Sequence, residues 1–204
     1  MDSKKGETLV NQIKKQPMGD DQIKLYLPDA EIITYKELRN YNSIEELLPN
    51  HKSYKILLYE SSPNNGHWVA LMRYNFDEDT IEYFDGYGYG IDVPLKWIPK
   101  YARINLGQDE PYLGNLLKKT DLKVVQNTKK YQDYDPEIAT CGRWDILRIM
   151  AMRDENMNLK QFQKWIEEMK KESGYTYDQI VSAFINNVDP ENAKFLLKHL
   201  PEHR

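Results

Sequence analysis

The sequence predicts an α+β fold, and three observations carry that expectation. Three runs of strand length follow one another in the first half of the chain. The stretches after its single cysteine have helical spacing, and strands do not alternate with helices as they would around a parallel sheet. The expected product is an antiparallel or mixed sheet flanked by helices. A chain of 204 residues suits one domain, long enough to bury about 70% of its unfolded surface.

Leu9, Val10 and Ile13 give Glu7 to Lys15 a helix-like spacing, closed by Pro17 and Gly19. Asp20 and Asp21 stand at the favoured end of a second short helix, Asp20 to Tyr26, and Pro28 follows it. Ile32 to Asn50 reads as helical turns around Tyr35 to Leu38 and Ile44 to Leu48, which makes residues 1–50 an N-terminal helical segment. The period then changes. YKILLYE (54–60), HWVALMRY (67–74) and TIEYFD (80–85) are strand-like, and the turn residues in Ser61 to Gly66 and Asn75 to Asp79 fold them into an antiparallel meander. Leu122 to Gln126 is a further strand candidate. Cys141 to Arg153 carries Trp144, Leu147 and Met150 or Ala151 on one helical face, completing a core over 54–153. Helices over Leu159 to Glu172, Tyr177 to Asn187 and Glu191 to Leu200 fill 154–204, broken at Gly174 and Pro190, with Asp189-Pro190 as a helix start.

The composition narrows the function classes. The 28 basic and 32 acidic residues are interspersed, leaving a formal charge of −4 and no basic patch for nucleic acid or anionic lipid. No stretch approaches the roughly 18 apolar residues of a membrane span, and the start, MDSKKGETLV, lacks a signal-peptide core. One cysteine forms no internal disulfide, which fits a reducing intracellular compartment. Neither the four histidines nor that cysteine has zinc-ligand spacing, and GYGYG (86–90) lacks the ending of a phosphate loop, so no metal and no cofactor are expected.

IATCGRWDILR (138–148) places Cys141 where a polar turn becomes a helix. Unpaired N–H groups and the helix dipole stabilise a thiolate there, lowering a thiol pKa from about 8.5 into a range of roughly 3.5–7.5. A sulfur nucleophile needs a base that takes its proton and returns it to the leaving amine, and His67 at the head of a strand is the candidate. Asp85, ending the neighbouring strand, is placed to orient that imidazole. Gly142 leaves space beside the sulfur for a substrate backbone. The oxyanion needs donors, for which the Cys141 N–H and a side-chain amide serve; Gln132 is the choice and Gln126 the alternative. Taken singly, each residue has an ordinary reading: a buried helix-start cysteine, a half-buried histidine, a turn aspartate, a loop glutamine. Their joint order on adjacent elements favours the catalytic one.

GHWVAL, an acidic residue 18 positions after the histidine, and a later Q…TCGRW together resemble the adenain and SUMO-protease superfamily of cysteine proteases, nearest its viral maturation branch in adenoviruses, virophages and large DNA viruses. The likeness spans roughly Tyr54 to Arg153. It implies a papain-like fold in permuted order, His67 as general base, Asp85 as its orienting acid, Cys141 as nucleophile, Gln132 in the oxyanion hole and Trp68 lining a narrow substrate channel. It further implies cleavage after Gly-Gly or Gly-X-Gly, with capsid or scaffold precursors as protein substrates, in the virion, host cytoplasm or virus factory. Ubiquitin-like conjugates are a rival substrate class, and an acetyltransferase with the same residue order or a non-catalytic capsid-associated protein are rival functions. Two departures stand out. Cys141 follows Gln132 by nine residues, longer than the family's usual gap, so the loop must bulge for the amide to reach. With no spare cysteine and a negative charge, adenain's activation by a disulfide-linked peptide and DNA is not expected in identical form, although an activating peptide of another kind is compatible.

Overall fold

The computed structural model describes residues 9–185, within which a five-stranded mixed sheet is flanked by helices. Residues 9–13 are helical, followed by helix α1 (Asp20–Tyr26), strand β1 (Glu31–Thr34) and helix α2 (Ile44–Leu47). The meander is β2 (Tyr54–Ser62), β3 (Asn65–Asn75) and β4 (Asp79–Phe84), antiparallel throughout. Short helices α3 (Lys100–Asn105) and α4 (Tyr112–Leu117) lead to β5 (Lys123–Gln126), and α5 (Cys141–Glu155), α6 (Leu159–Ser173) and α7 (Tyr177–Phe184) follow. The edge strands β1 and β5 pair in parallel with β2 and β4, so the spatial order equals the chain order. Strand β1, which the sequence reading missed, is only four residues long. Helices α3 and α4 were missed as well. The expected helix Glu191 to Leu200, the start at Asp189-Pro190 and the end of the helix at Asn187 lie outside the described residues.

Both faces of the sheet are covered, which explains why β2 and β3 read as nearly unbroken apolar runs. Alternation sends Tyr54, Ile56, Leu58, Trp68, Ala70 and Met72 into one core with α5, α6 and α7. Leu57, Tyr59, Val69, Leu71, Ile81 and Tyr83 face a second core with Tyr35, Leu38, Ile44, Leu95 and Leu113. Helix α5 differs from its expected amphipathic form: every residue from Gly142 to Met152 is buried. It runs through the interior, where its arginines find partners. Arg148 donates through Nε and Nη2 to both oxygens of Glu82 on β4, each at 2.7 Å, and the Tyr74 hydroxyl donates to Glu82 Oε2 at 2.8 Å.

Candidate active site

The start of β3, the end of β4 and the start of α5 meet at one end of the sheet. His67 faces Tyr59 across the β2–β3 ladder, and Asp85 comes one residue after the last β3–β4 pair, Ala70 with Phe84. Continuing that register sets Asp85 opposite Val69 and diagonal to His67 on the same face, within reach of its ring. The hairpin before His67 is tight. Asn64 takes a left-handed φ of 59°, and Gly66 runs so close to β2 that a Cβ would lie 1.9 Å from the Tyr59 carbonyl oxygen.

His67 Nε2 lies 3.1 Å from Asp85 Oδ1, although its N–H is not aligned for a full hydrogen bond. Asp85 is buried, and the Tyr87 N–H donates to the same Oδ1 at 2.7 Å. The Asn127 amide and the Gly88 N–H hold the Asp85 carbonyl at 2.7 and 2.9 Å, which fixes the turn. Imidazole and thiol hydrogen-bond to each other. Burial by itself would depress the His67 pKa; the Asp85 charge and the Cys141 sulfur outweigh it and hold the value well above 6.5. Burial likewise opposes ionisation of Cys141, and the His67 hydrogen bond and charge, with the N–H groups of Trp68 and Gly142, lower its pKa overall. Both shifts run in the direction that favours a thiolate beside an imidazolium.

The helix start leaves donors that such an anion could use. Thr140 precedes α5 but makes no side-chain cap; its hydroxyl donates instead to Asp178 Oδ1. The first-turn N–H groups therefore remain for sulfur or substrate. A cleft of about 590 Å³ opens over Cys141 and His67, walled by Trp68, Met18, Gly19, Tyr87, Trp97 and Gln132. The Trp68 indole donates to the Met18 carbonyl at 3.0 Å, which closes one wall. A smaller depression of about 350 Å³ at the opposite end of the sheet, around Tyr74, Asp77, Thr80 and Lys123, contains neither histidine nor cysteine. Among the described residues, no three His, Cys, Asp or Glu side chains cluster where a metal ion could sit. None of the described helices is long and apolar enough to cross a membrane.

A scan against protein-family models finds no match. The chain is 34% identical over 153 residues to a protein of Sputnik virophage described as "Uncharacterized protein V9", covering 75% of this chain and 84% of that one. The protein belongs to the family of V9. That family has a member encoded by a virus. Among solved structures, the central domain of the uncharacterized Lpg1148 protein from Legionella pneumophila matches at a TM-score of 0.38 and 17% identity, covering 90% of this chain and 94% of that one. So low a score carries no structural argument.

Of the site residues named from the V9-family sequence, the structure brings His67, Asp85, Cys141, Trp68 and Gln132 to one place. Gln126 is elsewhere: its Oε1 accepts from Ile91 N–H at 3.4 Å beside Gly90. Gly142 corrects the expectation of space for substrate. It is buried, and a Cβ there would meet Met18 Cβ at 3.3 Å and Trp68 Cδ1 at 3.4 Å, so the glycine allows the helix to pack against the cleft wall. The loop between Gln132 and Cys141 is tied at both ends. Asp178 accepts from Asp133 N–H at 3.0 Å as well as from Thr140, and Ala139 N–H donates to the Lys14 carbonyl at 2.8 Å. Gln132 is buried; its Nε2 donates to Tyr87 Oη at 3.0 Å and, more weakly, to the Ile138 carbonyl at 3.4 Å.

Sequence reasoning missed Tyr87, whose ring lies 5.0 Å from that of His67. DGYGYG reads as a turn, and only the recurrence of tyrosine between glycines hints at a wall. Asp145 was missed too. It lies one turn after Cys141, buried, with neither carboxyl oxygen bonded among the described residues, and burial pushes its pKa well above 3.8.

Proposed function

We propose that this protein is a cysteine endopeptidase with a papain-like fold in permuted order. It acts on capsid or scaffold precursors, at Gly-X-Gly-like sequences, during virion maturation. The observation that carries the reading is the buried Asp85 behind His67, with His67 in turn against a partly exposed Cys141 at a helix start, all opening on one cleft.

In the proposed reaction, Cys141 Sγ attacks the scissile carbonyl carbon, and the carbonyl π pair moves to oxygen. The Cys141 N–H, at the first helical position, lacks an intrahelical acceptor and faces that oxyanion. As the tetrahedral intermediate collapses, the C–N bond breaks and the amine takes the His67 proton. Water, losing a proton to His67, then hydrolyses the thioester. The described cleft lining contains no Lys or Arg, which favours a peptide over the phosphates of acetyl-CoA and supports hydrolysis over acetyl transfer. The test incubates wild type and Cys141→Ala with Gly-X-Gly peptides and virion proteins, and maps cut sites by mass spectrometry. Cuts after glycine that vanish in Cys141→Ala support the proposal. Selective reaction with ubiquitin-like probes would instead make it a deconjugating protease, and cuts unaffected by the substitution would refute the role of Cys141.

A further inference from the structure

Both hydrogens of the Gln132 amide are spent inside the protein. One goes to Tyr87 Oη at 3.0 Å and the other to the Ile138 carbonyl at 3.4 Å. The second contact also settles which end of the amide is nitrogen, because a carbonyl only accepts. Gln132 Oε1 points the other way, buried toward Gly86 without a partner among the described residues. The glutamine therefore stands behind the tyrosine rather than in the cleft as a free donor.

Tyr87 is differently placed. It is half-buried and lines the same cleft as Cys141 and His67. Its hydroxyl oxygen is already occupied as an acceptor, which leaves the O–H hydrogen to be donated outward, and no acceptor for it exists among the described residues. The residue is held from two further sides. The Tyr87 backbone N–H donates to Asp85 Oδ1 at 2.7 Å, which anchors the residue, and Tyr134 stacks on the ring at a centroid distance of 5.0 Å.

We infer that Tyr87 is a catalytic residue whose hydroxyl donates to the oxyanion formed at Cys141, with Gln132 as the positioning residue that orients and polarises the phenol from behind. The inference rests on the cysteine-protease reading above. When the Sγ–C bond forms and the carbonyl π pair moves to oxygen, the Tyr87 O–H and the Cys141 N–H supply two donors; both release the oxygen when the carbonyl re-forms and the leaving group departs. The phenol stays protonated throughout. Burial, reinforced by the charges of Cys141 and Asp85, pushes its pKa up to about 12. A donor polarised by a chain of hydrogen bonds is stronger than an isolated one.

Two small reagents separate this role from a structural one. p-Nitrophenyl acetate acylates Cys141 through an oxyanion, whereas iodoacetamide alkylates the same sulfur by displacing iodide and develops none. Tyr87→Phe keeps the ring and its stacking. It is expected to slow Cys141-dependent p-nitrophenol release by roughly 10²-fold, while the alkylation rate and its pH profile stay within about twofold. Gln132→Met should also slow acylation, and should add little in the Tyr87→Phe background because the two act as one unit. Equal losses in acylation and alkylation, no loss in either, or fully additive losses in the double variant would each overturn the inference. A wild-type thiol no more reactive at neutral pH than a free cysteine would overturn the protease reading itself, and the inference with it.

Discussion

His67 and Cys141 set each other's protonation, so the pair loses its protons in steps that belong to both residues. In the proposed reaction the working form is thiolate with imidazolium. It gains population as the thiol deprotonates and is lost as the imidazolium does. Because the Cys141 value is lowered and the His67 value raised, the active window should open below the ordinary thiol pKa and close above the ordinary imidazole value. Asp85→Asn keeps the shape and removes the charge that raises His67. Its alkaline limb should move to lower pH while the acid limb, set by a thiol facing an imidazolium in both proteins, does not rise, so the window narrows from the alkaline side, with kcat/KM down about 10²-fold at the optimum. A pH–rate profile of the variant measures this directly; a proportional loss with unmoved limbs would show that Asp85 only packs. Cys141, His67 and Asp85 could be named from the sequence because each is a rare type at a strand or helix end. Tyr87 could not, since 15 tyrosines hide the one that touches Asp85, His67 and Gln132 at once.

Two elements bring these side chains to the cleft, and each has a weak point that can be tested. The β2–β3 hairpin depends on Gly66, where a methyl group would fall on the Tyr59 carbonyl. Gly66→Ala must open the hairpin beside His67, and thermal unfolding should show a loss of about 2–3 kcal/mol. Helix α5 depends on the Arg148–Glu82 pair, both fully buried. Arg148→Met leaves a carboxylate uncompensated in the core and should cost about 3–5 kcal/mol by denaturant titration, whereas adding Glu82→Leu should recover most of it. The same burial explains why α5 was only partly legible. A helix wrapped on all sides needs no polar stripe, and its arginines and aspartate look like solvent residues until the structure shows them inside. The meander was readable because its turns carry Asn, Gly, Asp and Pro, while β1 has only EIIT and gains its strand state from parallel pairing with β2.

Across the whole molecule, the flanks complete what the central segment begins. Three N-terminal carbonyls meet donors around the nucleophile: Lys14 with Ala139 N–H, Gln16 with Arg143 Nη1 at 2.6 Å, and Met18 with the Trp68 indole. From the other side, Asp178 on α7 grips both Asp133 and Thr140. Such links join positions from 38 to 127 residues apart in sequence and leave no local pattern, so sequence reasoning could place these segments but not their purpose. Removing residues 1–18 strands those donors at about 1–3 kcal/mol each. The truncated chain should melt on the order of 10 °C lower and lose most peptide cleavage; an unchanged melting point would show that the segment is dispensable. The proposed reaction rests on one ion pair, and the rate of Cys141 alkylation by iodoacetamide, followed from about pH 5 to 9 in wild type and His67→Ala, tests that pair most directly. Wild type should remain reactive well below the ordinary thiol pKa of about 8.5, and His67→Ala should fall back to the profile of a free thiol. Coincident profiles for the two proteins, both centred near that ordinary value, would contradict it.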